Sequence, residues 1–286
     1  MFADHDAWDT RATSATRIYV SHGVSVGVRT NDPSLLDRVA DCFPPDSVES
    51  PSAEADAWYS IVRSPAQHAS YARYELFRDE QKLNEGLRLA PLLDRMDAAI
   101  RVDVGRRAPE QLFVHAGAVA WNGRVIVLPG RSGAGKTTLV AALVRAGAAY
   151  CSDEYAVLDR RGYVHPYPRR LSMRQGGNRR VRWSAVTDLG GEQADAPLPV
   201  GAVVVTRYEP GARWAPRALS AGESALALFA NTLIARDKPA FAFAVLSRAV
   251  AGVISTEGDR GEADATAAAI LAFVDQTYPS TQGTTP

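Results

Sequence analysis

Residues 124–153, RVIVLPGRSGAGKTTLVAALVRAGAAYCSD, restrict what this 286-residue chain can fold into more than any other stretch. They open with Val125, Ile126, Val127 and Leu128, an apolar, β-branched run that reads as a buried strand. Gly130, Arg131, Ser132, Gly133, Ala134, Gly135, Lys136 and Thr137 follow, a full match to the pattern of glycine, four residues, then Gly-Lys-Ser/Thr. Residues 139–146 then read as a helix, with Leu139, Leu143 and Ala146 on one face and Gly147 as its C-cap. Strand, glycine turn and helix in that order predict an α/β core. The glycines let successive N–H groups curl around phosphate oxygens without Cβ clashes, and the helix start adds partial positive charge. The expectation is a nucleoside triphosphate held by residues 130–138, Thr138 included. Lys136 would reach the β- and γ-phosphates, and the Thr137 hydroxyl would ligate Mg²⁺.

Upstream, residues 113–120 form a second apolar run, separated from residues 124–128 by Trp121, Asn122 and Gly123. Asn-Gly between two such runs predicts a hairpin. With Asn122 and Gly123 as the turn, Trp121 faces Arg124 and His115 faces Gly130, beside the mouth of the loop. His115 is therefore a candidate site residue, with a histidine satisfying a backbone group as the alternative. Downstream, residues 148–152 read as a short strand ending in Asp153 and Glu154. Ligands of open α/β sheets collect at the carboxyl ends of parallel strands. A carboxylate there can hold Mg²⁺ or take the proton of an attacking hydroxyl, or be a solvated turn acid.

Lys+Arg and Asp+Glu balance at 32 each, so no global field favours nucleic acid or an anionic membrane. Only Lys82, Lys136 and Lys238 are lysines, which makes one inside the loop less accidental. Cys42 and Cys151 make no disulfide framework, the N-terminus carries no signal-peptide pattern, and the longest apolar run (residues 240–254) is too short to span a bilayer. These features predict a soluble cytoplasmic protein.

The first 109 residues read as a small α+β unit ahead of a core over residues 110–278, with residues 279–286 as a frayed tail. The unit contains strands at 17–20 and 24–28 around a His22-Gly23 turn, and a short helix begun by Asp32-Pro33. Residues 46–54 read as a loop, residues 57–62 and 71–77 as strands, and residues 91–100 as an amphipathic helix. In the C-terminal third, residues 202–206 read as a strand followed by Arg207 and Arg213, candidate phosphate ligands. Residues 220–235 read as a helix opened by a Ser220/Glu223 capping box, burying Leu226, Phe229 and Leu233. Further helices are expected at 241–250 and 263–274, with a short strand at 253–255; nothing in the spacing turns Asn231 or Arg236 toward the site.

The run H-x14-G-x-S-G-x-G-K-T, followed after a helix by S-D-E, resembles HPr kinase/phosphorylase and the wider HPr-kinase-like proteins. The resemblance is close from His115 to Asp153 and looser from Gly201 onward. It implies a P-loop kinase core with a mixed sheet, of the HPr kinase/PEP carboxykinase-like type. It implies ATP and Mg²⁺ as cofactors, Lys136 as the phosphate lysine and Thr137 as a metal ligand. Asp153 becomes the general base for an acceptor hydroxyl and His115 a supporting catalytic residue. Glu154 stands where the family has a second Asp, so it joins Thr137 and Asp153 as a metal candidate. The family's glycine-rich segment with a metal-binding Glu corresponds to residues 171–182, which contain no acid. The implied acceptor is therefore a hydroxyl on a peptide, a protein or a small molecule rather than HPr specifically.

Residues 169–182 instead carry Arg169, Arg170, Arg174, Arg179, Arg180 and Arg182 around Gly176-Gly177. They would grip an acidic acceptor or supply a transition-state arginine, or form a solvated loop. With only Trp183 and Tyr167 as stacking platforms, nucleic-acid binding is a poor fit. Two rivals to a kinase stand: an ATPase or switch, and a nucleotide-binding regulatory module without phosphotransfer. The GTPase base-reading motif N-K-x-D is absent. Homo-oligomerisation is left open.

Overall fold

Two apolar-residue periods, 2 in the strands and 3.6 in the helices, alternate along the chain and produce a mixed α/β protein. The computed structural model describes residues 15–64, 72–131, 133–174 and 181–279. The chain divides into two compact units, Met1–Glu110 and Gln111–Pro286.

The first unit contains β1 (Ala15–Ser21), β2 (Val24–Thr30), α1 (Leu36–Val39), β3 (Val48–Ser50), β4 (Ala57–Arg63), β5 (Tyr74–Arg78), β6 (Gln81–Leu87) and α2 (Leu89–Arg107). Its sheet has the order β3-β1-β2-β4-β5-β6. His22 and Gly23 both take positive φ (50° and 75°), the conformation a two-residue hairpin needs. Two expectations are corrected. The segment read as a loop at 46–54 contains β3, which pairs β1 at the sheet edge; no alternation betrays so short a strand. The helix expected at 91–100 runs to Arg107, because the buried stripe Leu92, Met96 and Ile100 continues to Val104. Asp103 hides that continuation in the sequence: it is buried, but it accepts from the Tyr59 hydroxyl (2.7 Å) and from Arg78.

The second unit begins with β7 (Gln111–Trp121), β8 (Arg124–Pro129), α3 (Lys136–Arg145), β9 (Ala149–Ser152), β10 (Tyr155–Asp159) and β11 (Tyr163–His165). There follow β12 (Leu171–Arg174), β13 (Val181–Ser184), β14 (Leu198–Tyr208), β15 (Arg217–Ala218), α4 (Ala221–Phe229), α5 (Pro239–Ala249), β16 (Ile254–Arg260) and α6 (Ala263–Thr277). The main sheet runs β11-β10-β7-β8-β14-β16-β15, with β9 also on β7 and β11 also on β14. Pairing therefore returns on itself through β10, β7, β8, β14 and β11. Strands β8, β14 and β16 are mutually parallel, and β7 runs against β8.

Alternation sorts the core onto the two faces of this sheet. Val125, Val127 and Val203 pack with α4 and α5, while Ile126, Leu128, Ala202 and Val204 pack with α3 and α6. The expected helix at 220–235 stops at Phe229, and its buried face is Ser224, Ala225 and Leu228; Leu226 is 58% exposed. The helix ends because the chain turns to bridge β7: Leu233 N–H donates to Phe113 O (3.0 Å) and Val114 bridges Thr232. The Ser220/Glu223 capping box is present at its start. No helix among the described residues is long and apolar enough to cross a membrane.

Candidate functional site

Strand β7 is the ruler on which the site is measured. Along one edge it pairs β8 with partners summing to 245, from Trp121 opposite Arg124 to Ala116 opposite Pro129. Asn122 and Gly123 turn the hairpin at φ 49° and 71°, and the ladder ends where Gly130 N–H meets His115 O (3.4 Å). The register expected from the Asn-Gly turn is the one adopted. Along its other edge β7 pairs β10 and then β9, and Asp153 and Glu154 fill the break between those two strands. Ala116 N–H donates to Glu154 O there (3.1 Å), so the same residue of β7 is flanked by the end of β8 and by the acidic pair. Strands on either side of a third lie about 10 Å apart. Helix α3 closes that gap.

The helix can do so because Gly117 lies beneath it. A Cβ at Gly117 would stand 2.6 Å from Val140 Cγ2, inside any tolerable contact, so only glycine admits the helix this close to β7. From Pro129 the chain turns through Gly133 and Gly135 at φ 87° and 79°, and Ala134 N–H donates to Arg131 O (3.2 Å). Gly135 is the N-cap of α3, and among the described residues no side chain caps the first turn. The first-turn N–H groups are thereby left available to an anion. Ser132 lies outside the described residues.

Lys136 folds back over the loop, with Nζ donating to Gly130 O (2.6 Å) and Arg131 O (3.0 Å). Burial lowers its pKa to about 8, against a smaller upward pull from the Asp153 charge. Thr137, in the first turn of α3, donates from Oγ1 to Asp153 Oδ2 (2.9 Å). The other carboxylate oxygen, Oδ1, is 2.9 Å from the Tyr150 hydroxyl, which also lies 3.0 Å from Arg169 O. Burial, and then the Asp153 charge, push the Tyr150 phenol above its ordinary pKa, so it remains a proton donor to the carboxylate. Lys136, Thr137 and Asp153 are thus brought together, and Thr138 in the same turn is exposed.

His115 reaches the loop through its backbone, and its N–H donates to Asn231 O (2.8 Å). It shares the α3 face of β7 with Gly117, two residues on, and its ring stands 6.0 Å from that of Tyr155. Glu154 is half-buried and tied down through its backbone, N–H to Ser152 Oγ at 3.1 Å. Among the described residues, no group of three or more His, Cys, Asp or Glu is placed to hold a metal ion.

The flanking arginines separate. Arg207 is the penultimate residue of β14, at the loop end of the sheet, but its guanidinium is held by Asp259 on β16 (2.9 and 3.1 Å) and its side chain is 77% exposed. Arg213 and Arg236 are exposed. Asn231 meets His115 with its carbonyl, while its side-chain amide turns back to Ala227 O. Of the 169–182 cluster, Arg169 supplies its carbonyl to Tyr150, Arg179 and Arg180 lie outside the described residues, and residues 171–174 and 181–184 form the antiparallel pair β12–β13 where a solvated loop was one of the expectations.

Sequence reasoning missed Tyr150 and Arg260. Tyr150 carries no local signal, since an aromatic in a buried strand reads as core. Arg260 ends β16, parallel to β14 and so to β8. A strand-end rule would have found it had that pairing been known. A scan against protein-family models matches none with this chain, and a search of curated proteins finds no match.

Proposed function

We propose that the chain is an ATP-dependent phosphotransferase, with a P-loop kinase core of the HPr kinase/PEP carboxykinase-like type. In this reading residues 130–138 hold the triphosphate and Lys136 swings from the Gly130 and Arg131 carbonyls onto its β/γ oxygens. Asp153 takes the proton from an acceptor hydroxyl as that oxygen attacks the γ-phosphate. The reading rests above all on the bridge from Thr137 in the first turn of α3 to Asp153 (2.9 Å), with Tyr150 fixing the far carboxylate oxygen. Mg²⁺ fits the donor chemistry, because it needs only one or two protein oxygens and takes the rest from phosphate and water. Thr137 Oγ1 and Asp153 Oδ2 would hold it, and it would neutralise charge on the β and γ oxygens. Glu154 and His115 complete the proposed set, as a further metal ligand and a supporting catalytic residue. The acceptor is a hydroxyl of a peptide, protein or small molecule, and the setting is the cytoplasm.

The test is incubation with γ-labelled ATP, Mg²⁺ and candidate hydroxyl compounds, read by mass spectrometry for the gain of one phosphoryl group. Lys136→Ala abolishes the gain; turnover retained in that variant refutes the assignment. ATP hydrolysis without any acceptor would instead make the chain an ATPase, and binding without turnover a regulatory module.

A further inference from the structure

Arg260 is 2% exposed, yet among the described residues no carboxylate forms a salt bridge with it. Its Nη2 donates to Gly135 O (3.0 Å) and its Nη1 to Gly261 O (3.1 Å). Its Nε is buried and has no hydrogen-bond partner among the described residues. Glu262, whose field reaches it, accepts instead from the Tyr208 hydroxyl (3.1 Å), and the Tyr208 ring lies 5.2 Å from the guanidinium carbon. A guanidinium stays protonated at every accessible pH, and burying it without a counter-charge is costly. An unsatisfied buried group of this kind calls for a specific explanation, and a ligand, ion or water that completes it is one.

The place it occupies says what that is. The Gly135 carbonyl accepts both from Arg260 and from Leu139 N–H (3.1 Å). Because a peptide is planar and trans, fixing that carbonyl turns the Lys136 N–H the opposite way, into the loop. Gly135 and Arg260 also fit each other: a Cβ at position 135 would collide with Nη2, and the residue's φ of 79° already demands glycine. We infer that Arg260 is a positioning residue for polyphosphate recognition: it aims the Gly135–Lys136 peptide at the ligand and supplies, from behind the loop, a buried positive charge that the phosphates complete. The inference rests on the proposal that residues 130–138 hold a triphosphate. It adds that affinity at this site grows with phosphate count through a residue that touches no phosphate.

The test uses the full chain with Mg²⁺, measuring dissociation constants for ATP, ADP and AMP by calorimetry in the wild type, Arg260→Gln and Arg260→Lys. A charge-assisted interaction of this kind is worth about 10–100-fold in affinity. Arg260→Gln is expected to lose about that much for ATP, less for ADP and under about threefold for AMP, with Arg260→Lys recovering most of the ATP loss. Equal losses for all three nucleotides would mark Arg260 as scaffold only and overturn the inference, as would no loss. If Arg260→Gln does not fold, Arg260→Lys carries the test: a modest loss confined to ATP and ADP supports the inference, and one shared by AMP overturns it. A wild-type chain that binds none of the three overturns the nucleotide reading itself, and this inference with it. A wild type that binds ATP beside an Arg260→Gln that binds it equally well overturns this inference alone.

Discussion

Lys136 offers a measurement that tests the proposed phosphate site without any acceptor in hand. In the free protein its pKa is lowered to about 8 by burial. At that value the amine is about half neutral at pH 8 and about nine-tenths neutral at pH 9. A triphosphate placed against it favours the ammonium and restores a pKa near or above the ordinary lysine value of about 10.4. Binding must then take up a proton: about 0.1 per ATP at pH 7, about 0.5 at pH 8 and about 0.9 at pH 9. Above pH 8 the phosphates are themselves fully ionised, so they do not obscure the count. The sign follows from the free state losing the proton first. Affinity is highest below pH 8 and falls as pH rises through it, with the dissociation constant growing about fivefold between pH 8 and 9. Calorimetric titration with ATP in buffers of different ionisation enthalpy reads the uptake directly. Lys136→Arg is the control, because a guanidinium cannot be neutral at these pH values, and its uptake should vanish even where some binding survives. A wild-type uptake of zero at pH 9, or an equal uptake in Lys136→Arg, would refute the argument.

Three further outcomes are expected. Asp153→Asn should lower phosphoryl transfer by about 10²–10⁴-fold while largely keeping ATP affinity; loss of binding instead would make Asp153 purely a metal ligand. Tyr150→Phe removes the donor to Asp153 Oδ1, a part-buried bond worth about 1–2 kcal/mol, so kcat should drop about tenfold with KM for ATP little changed; an unaltered rate would mean Thr137 alone orients the carboxylate. Gly117→Ala puts a methyl into Val140 and should destabilise the second unit by about 1–3 kcal/mol in denaturant unfolding. Because α3 must lift, nucleotide affinity should fall as well, and a variant of wild-type stability would contradict the close approach of helix and strand.

Much of this was legible in local pattern. The Asn122-Gly123 turn set the β7–β8 register residue by residue, because a two-residue hairpin needs two positive-φ positions and a period-2 strand cannot slip without exposing its core face. Ser220 and Glu223 capped α4 as their spacing requires. The glycines at 133 and 135 adopted the left-handed conformations that a tight loop before a helix demands. Each of these is decided within a few residues of the chain by sterics and local hydrogen bonding.

Tertiary structure alone decided the rest. That Thr137 should meet Asp153 depends on β9 lying across β7 from β8 and on Gly117 letting α3 settle over the middle strand. Tyr150 and Arg260 gained their contacts, and with them their proposed roles, from partners 3 and 125 positions away, through a strand break and a parallel pairing that carry no local signature. Leu226 looked like core and is exposed, because α4 turns Ser224, Ala225 and Leu228 to the sheet instead. By itself the sequence determined the tight turns, the caps and the strongly periodic strands and helices, since those choices minimise local strain and solvent exposure, whereas β3, β12–β13 and the end of α4 took their form from distant partners. Which side chains converge was decided only when distant segments packed, because long-range pairing is selected by the free energy of the assembled core and not by any residue's neighbours.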